Sequence, residues 1–343
     1  MGAVMKKMMK ASGLILLGMI FFSTASVVSA KEVQLRFSSP FPTMQTITGK
    51  VIQPWIDQIN EAGKGKVHIR LYPAGALGKA PDQYILAETG VADFAYHLAD
   101  YTPGRFPMTS VFSLPFMVPS GEKVSAAMWK TFQKEAKYKD EYDKVKVLAL
   151  FGHSGGNFHT VKKPIRNMSD FQGLKIRTAN PAISEALKIW GAVPLAMPIT
   201  ETYQSLERGV IDGTVLNWEG MGVFKLNEVC KYTTVVELYT MPMMIVMNKN
   251  KWDNLSADIK KLLGSTTGLN MSMEAGAAFD KMEKPFREKS LKLGMEEIIL
   301  DPTELTKLKA STMPLRAGWV KEYTAKGYPA QQILDTAIKY INE

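Results

Sequence analysis

Apolar and polar residues alternate through Val33-Gln34-Leu35-Arg36-Phe37 and again through Val67-His68-Ile69-Arg70-Leu71. A period of two marks strands that bury one face. Between them Ile47, Val51, Trp55 and Ile59 fall at helical spacing. A second helical stretch covers about 80–89, and Val91 to Tyr96 reads as a third strand. Strand–helix–strand order predicts parallel pairing with helical crossovers. A helix near 121–137 and a strand over 145–150 complete a first unit. The order then repeats with a strand over 174–178. Asn180 and Pro181 suit the N-cap and first turn of a helix carrying Ile183, Leu187 and Trp190. A strand over 192–196, a helix from Thr200 to Gly209 and a strand over 214–217 follow. Downstream, Met243 to Met247 reads as a strand, and a helical pattern runs from Ser256 to about Lys289. Pro285 is expected to kink or divide it. Such a helix would extend ~50 Å at ~1.5 Å per residue, more than one small lobe, so it is expected to bridge two. A strand over 297–300 and helices over about 302–325 and 329–342 end the chain.

The first thirty residues stand apart. Lys6, Lys7 and Lys10 form a basic start, residues 13–22 an apolar run, and Val28-Ser29-Ala30 a small-residue cleavage signal. This pattern predicts a secretory signal peptide cut after Ala30. The apolar run is shorter than the ~20 residues a membrane span needs. Without it the formal net charge falls from +9 to +6. That balance has no Lys/Arg block interleaved with aromatics, so nucleic acid is not an expected partner. The only cysteine is Cys230, which excludes a disulfide framework. Four histidines leave little material for a metal centre, and no metal or cofactor is expected.

One stretch argues for chemistry. Gly152-His153-Ser154-Gly155-Gly156 matches the G-x-S-x-G nucleophile elbow, behind a strand-like segment. An elbow needs a helix next, yet Asn157 to Ile165 reads as extended or loop. The histidine of such a triad follows the acid, well beyond the serine, and after Ser154 only His159 remains. The competing reading is a strand leaving the core through a glycine-rich corner at a lobe boundary. A metal held by His153 and His159 would lack a third ligand.

A longer stretch argues for binding. It runs from Asp170-Phe171-Gln172-Gly173-Leu174-Lys175-Ile176-Arg177-Thr178 through Pro194-Leu195 to Glu201-Thr202-Tyr203-Gln204-Ser205-Leu206-Glu207-Arg208-Gly209-Val210-Ile211-Asp212-Gly213. Arg177 falls at a strand end, where open α/β sheets bind ligands. Its guanidinium matches a carboxylate bidentately. Spacing alone leaves open a surface pair with a nearby acid.

This block resembles the DctP-type solute-binding proteins of tripartite ATP-independent periplasmic (TRAP) transporters. Gly90-Val91-Ala92-Asp93-Phe94, Phe106-Pro107, Leu114-Pro115-Phe116 and Lys163-Pro164-Ile165 extend the likeness over nearly the whole chain. The resemblance implies an α/β, two-lobe periplasmic binding protein fold with a ligand cleft, crossing connections and a long lobe-spanning helix. Lobe I is expected over 31–153 plus about 242–284, and lobe II over 154–241 plus about 285–343. The resemblance further implies that Arg177 clamps a substrate carboxylate and that Asn217 supports it. Trp218 is an expected apolar wall, against an alternative of ordinary packing. Many members carry a second arginine where this chain has Asn157, so His153 or His159 would take over or the second clamp is neutral. That departure favours a monocarboxylate over a dicarboxylate or sialic acid. First-lobe contacts are expected from the loop over 37–43, Phe37 included, and from Tyr96 and His97. The function so implied is capture of an organic-acid anion in the periplasm by a monomer, without catalysis, and delivery to a TRAP membrane permease. The alternatives are a secreted serine hydrolase and a binding protein for an ATP-driven importer.

Overall fold

The structure is a computed structural model that describes residues 31–343. The expected signal peptide and its cleavage point lie outside them. In chain order the strands are β1 (Val33–Ser38), β2 (Val67–Tyr72), β3 (Phe94–Leu98), β4 (Val145–Phe151), β5 (Asn157–Thr160), β6 (Lys175–Thr178), β7 (Val193–Ala196), β8 (Gly213–Leu216), β9 (Tyr232–Val235), β10 (Met243–Asn248) and β11 (Glu296–Ile299). They form two sheets, in the orders β2-β1-β3-β10-β4 and β11-β9-β5-β8-β6-β7. The predicted parallel pairing holds for β1 with β2 and β3, and for β6 with β7 and β8. In the first sheet β10 inserts antiparallel between β3 and β4; in the second, β5 lies antiparallel to β8 and β9.

The helices are α1 (Gln53–Ala62), α2 (Gln83–Glu88), α3 (Gly121–Lys134), α4 (Ala136–Lys139), α5 (Pro181–Ile189), α6 (Thr202–Glu207), α7 (Trp218–Val223), α8 (Lys249–Asp253), α9 (Ala257–Ser265), α10 (Leu269–Lys292), α11 (Pro302–Ala325) and α12 (Ala330–Ile341). The first sheet is buried on both faces. Trp55 and Ile59 of α1 and Leu263 of α9 cover one side, with Leu35, Phe37 and Tyr96. Val124 and Met128 of α3 and Ile333 and Leu334 of α12 cover the other, with Val147 and Val246. Burial on both faces explains the unbroken apolar run of β10. The last helix, α12, thus packs on the first sheet's side, although everything beyond 284 is expected in lobe II.

The long helical pattern divides, but not where expected. Pro285 lies inside α10 without ending it. The break falls at Gly268, whose φ of 84° ends the preceding run and starts α10 anew. Its N–H donates to Leu148 O at 2.7 Å, fixing the new helix on β4. α10 spans ~36 Å at ~1.5 Å per residue and touches both halves of the fold, α3 and β4 on one side and α7 on the other. It crosses α3 at a glycine pair, where a Cβ on Gly276 would run into the Gly121 carbonyl.

Two chain segments cross between the sheets, 152–156 leaving β4 and 236–242 leading into β10. They are bonded side by side: Gly156 N–H to Tyr239 O at 2.9 Å, and Leu238 N–H to Gly156 O at 2.8 Å. The elbow-like stretch is therefore an irregular crossing segment between β4 and β5. β5, not a helix, follows it. Ser154 donates its hydroxyl to Asp280 Oδ1 at 2.7 Å. His153 does not face Ser154 Oγ: its Nδ1 donates to Ser154 O at 2.5 Å and its Nε2 accepts from Met241 N–H at 3.1 Å.

Candidate ligand site around Arg177

β6 and β8 are parallel neighbours, with Arg177 in register with Thr214. Their C-terminal ends therefore bring Arg177 and Asn217 to one rim. Both line a cavity closed from the opposite side by Phe41, Tyr96, Tyr101 and Met243. The cavity holds about 50 Å³. Its walls join the two halves of the molecule. Ile199 N–H donates to the Tyr101 hydroxyl at 3.0 Å, and Thr46 N–H to Glu219 Oε1 at 3.3 Å. Asn180 Nδ2, at the cap of α5, reaches Ser113 O at 3.1 Å. The lobes are closed.

Arg177 is 1% exposed. Its Nε donates to Met197 O at 2.9 Å, and among the described residues its Nη2 has no partner. Tyr101, Tyr239 and His153 all feel its charge. Stranding a guanidinium in a dry interior costs several kcal/mol unless an anion joins it, roughly the effective burial penalty per ion. The site is thus built around a cation that calls for an anion.

Glu219 supplies a second charged group to the same cavity. It is buried, and burial pushes its carboxyl up to about 7. Tyr96 lies beside it and feels its charge. Glu283, reached from α10, stands behind the rim. Its carboxylate accepts Asn217 Nδ2 at 2.9 Å, Trp218 N–H at 3.1 Å and Glu219 N–H at 3.2 Å. Burial lifts it to about 7 as well, against the pull of those donors. Asn217 is thereby oriented by a carboxylate on the bridging helix.

Of the residues singled out in the sequence, Arg177, Asn217, Tyr96 and His153 line this cavity. Four others do not. Phe37 is core, stacked on Phe94 at 5.7 Å and edge-on to Trp55; the residue of its loop that reaches the cavity is Phe41. His97 follows Tyr96 on β3 and so points to the other face. There it packs on Tyr84 and Phe106 and bonds the Thr102 hydroxyl at 3.0 Å. Trp218 packs on His159 and lines a separate groove shared with Ser154 and Asp280. Asn157 lines that groove too; its Oδ1 accepts Val236 N–H at 2.9 Å and Glu237 N–H at 3.1 Å, tying the crossing segments together. It stands on the wrong side for a clamp. His159 does not replace it, being bonded to Thr233 Oγ1 and Leu216 O. Burial depresses His153 and His159 to about 4, so both are neutral.

The sequence reading passed over Tyr101, Glu219, Phe224, Tyr239 and Phe279. Glu219 carried a signal: it is a lone carboxylate in the apolar run Val215 to Phe224, two residues beyond Asn217. The aromatics carried none, because they arrive from loops and from α10.

Comparison with known proteins agrees with this architecture. The family model for bacterial extracellular solute-binding proteins, family 7, matches residues 37–322. A TRAP solute-binding protein of an unidentified marine microbe, specific for aromatic acids and solved with metahydroxyphenylacetate, is 34% identical. It superposes with a TM-score of 0.87, over 91% of this chain and 99% of that one. A TRAP solute-binding protein from Rhodoferax ferrireducens with copurified benzoate is 30% identical, with a TM-score of 0.86 over 90% of this chain and 98% of its own. The C4-dicarboxylate-binding periplasmic protein of Rhodobacter capsulatus is 28% identical over 257 residues, 74% of this chain and 77% of that protein. The two-lobe fold and the likeness read from the Gly173-to-Gly213 block are both borne out. The chain belongs to family 7 of the bacterial extracellular solute-binding proteins.

Proposed function

We propose that this protein captures an aromatic monocarboxylate in the periplasm and hands it to a TRAP membrane permease. The observation that carries the reading is Arg177, a buried guanidinium with an unpartnered Nη2 on the wall of a closed cavity. A ligand carboxylate supplies the missing anion, and in a dry cavity that pair is strong. The rest of the lining favours a ring. Phe41 is edge-on to both Tyr96 and Phe224, at 5.7 and 5.6 Å, and Phe279, Tyr239, Met241 and Met243 complete an aromatic and thioether wall. Such surfaces hold aromatic rings at centroid distances of about 4.5–7 Å. The relatives solved with metahydroxyphenylacetate and benzoate have the same fold. Arg177 is the one Lys or Arg among the described residues that line the cavity, which fits one carboxylate better than two.

Entry requires the lobes to part, because all the lining but the half-buried Phe224 is buried. We assign lobe I to the first sheet and lobe II to the second. The segments 152–156 and 236–242 serve as hinges, α10 and α11 as bridges, and α12 rides with lobe I. Closure over the ligand presents one joined surface to the permease. Ser154 has no part in chemistry on this reading, and the protein turns nothing over.

The test is native mass spectrometry of the purified mature protein, then thermal shifts against small carboxylates. A copurified aromatic acid, or a melting temperature raised by benzoate-like acids, supports the reading, because a ligand that binds the folded state stabilises it. A protein unmoved by every monocarboxylate and stabilised by dicarboxylates contradicts it.

A further inference from the structure

We propose that Glu219, with Gln45 beside it, reads a hydroxyl group on the bound acid and rejects a second carboxylate at that position. The inference rests on the reading above, in which Arg177 takes the ligand's carboxylate. It starts from what the cavity's polar groups still have to offer. His153 spends both ring nitrogens on Ser154 O and Met241 N–H. Asn217 commits its Nδ2 to Glu283. Tyr239 donates to Val215 O, Tyr96 to Met243 Sδ, and the Tyr101 hydroxyl accepts from Ile199. These groups shape the cavity; their first hydrogen bonds are spoken for.

Glu219 and Gln45 differ. Glu219 is 2% exposed, lines the cavity, and accepts at Oε1 a long bond of 3.3 Å from Thr46 N–H; against its burial, the Thr46 hydroxyl and the Lys50 charge also favour the ionised form. Gln45, next to Thr46 in the chain, turns Oε1 to the Thr48 N–H at 3.0 Å and the Thr48 hydroxyl at 3.3 Å. Its amide Nε2 has no partner among the described residues. The cavity thus holds an acceptor and a donor on its wall, set among aromatic rings. A hydroxyl satisfies both, donating to Glu219 and accepting from Gln45. A ring amine, neutral near pH 7, has its lone pair drawn into the ring and is a poor acceptor for Gln45. A carboxylate would face Glu219 with Glu283 behind it, and like charges in a low-dielectric interior repel strongly. An unsubstituted ring would leave both polar groups buried and unmatched, which is the stronger source of discrimination.

Arg177 is a separate element of the same cavity: its charge is felt by Tyr101, Tyr239 and His153, whereas Tyr96 feels that of Glu219. The two groups do not pair with each other. They therefore read two features of one ligand, the carboxylate and a hydroxyl remote from it. Burial lifts the Glu219 carboxyl to about 7, so the rejection of a second carboxylate is fullest above that pH, where Glu219 is ionised.

The experiment is calorimetry on the mature protein and its Glu219→Ala and Glu219→Gln variants, each first shown folded by its thermal transition. The ligands are benzoate and phenylacetate, their 3- and 4-hydroxy and 3- and 4-amino derivatives, and isophthalate and terephthalate. We expect one hydroxy acid to bind the natural protein about tenfold or more tighter than its parent, the scale of one hydrogen bond to a charged group. Glu219→Ala should erase that preference, bringing the ratio of hydroxy acid to parent affinity to within about threefold of unity. Glu219→Gln, which keeps an oxygen for Thr46, should raise isophthalate or terephthalate relative to the parent by about fivefold or more as the repulsion goes. The proposal is overturned if no hydroxy acid outbinds its parent, if an amino acid of the panel binds best, or if the preference survives in Glu219→Ala. Failure of every acid in the panel to bind the natural protein overturns the underlying reading as well.

Discussion

Asp280 and Glu283 sit three residues apart on α10, and each holds the start of a helix from a different lobe. Asp280 accepts Gly121 N–H at 2.8 Å and Glu122 N–H at 3.0 Å, at the head of α3. Glu283 accepts the N–H groups of Trp218 and Glu219, at the head of α7. Carboxylates at helix N-termini satisfy orphan donors and meet the positive end of the dipole. One turn of the bridging helix therefore fixes both lobes, and Ser154 on a crossing segment is bonded to the same Asp280.

Asp280→Ala should lower stability by about 1–3 kcal/mol, as three donors lose their acceptor. Ser154→Ala should cost about 1 kcal/mol and leave ligand affinity within about threefold. Chemical denaturation and calorimetry measure both. A large loss of affinity in Ser154→Ala, or ester turnover that vanishes with it, would contradict the structural role.

Gly276→Ala forces a methyl into the Gly121 carbonyl where α10 crosses α3. A close crossing of two backbones has no flexible side chain to move aside. We expect a loss of about 1–3 kcal/mol, the usual scale of overpacking. A melting temperature equal to that of the natural protein would show that the helices separate without cost.

Tyr101→Phe removes the oxygen that accepts Ile199 N–H across the cleft. The closed form then leaves a buried donor unpaired, at about 1–3 kcal/mol. Ligand affinity should fall about 5-fold to 100-fold, with little change in the stability of the ligand-free protein. The reverse pattern, lost stability and unchanged affinity, would place the bond in the fold and not in closure.

Stability should decline as pH rises from about 6.5 to 8.5. Burial lifts Asp100, Glu219 and Glu283 to about 7 and Glu141 to about 8. The folded chain thus keeps protons that the unfolded chain releases above ~4. Their stabilising effect is complete below ~4 and is lost as pH climbs through 7 and 8. Burial depresses His97 to about 3 and His153 and His159 to about 4. Their contribution has the opposite sign: it is present above ~6.5 and lost as pH falls toward 4. The two sets oppose each other between about 4.5 and 6.5, and only the carboxyls act above that. A melting temperature that rises between pH 6.5 and 8.5 in the ligand-free protein would contradict these shifts.

Long alternating and helical segments were legible in the sequence because each carries its period over enough residues. The strands β5 and β9 were not, being four residues each and sharing a sheet only through long-range pairing. The break in the long helix was misplaced because Pro285 is a stronger local signal than Gly268, yet a proline inside a helix bends it more readily than it stops it. In the site, Arg177 was a candidate because a strand end before a helix marks a ligand rim; its clamping role and the part of Asn217 came only from the family resemblance. His97 was a false expectation that strand parity forbids once Tyr96 faces the cavity. Asn157 looked like half a clamp but answers to the crossing segments. Glu219 was overlooked because the meaning of a buried carboxylate depends on what surrounds it, and its surroundings come from loops and α10.

The central claim is that Arg177 is an anion clamp awaiting its partner. Calorimetric titration of an acid that binds the natural protein into Arg177→Ala tests it most directly. Removing the guanidinium leaves the ligand's charge buried and unpaired, a loss of ~2–5 kcal/mol, so affinity should drop about 30-fold or more, while the thermal transition shows the variant folded. Affinity within about threefold of the natural protein would mean that the carboxylate lies elsewhere and that the account is wrong at its centre.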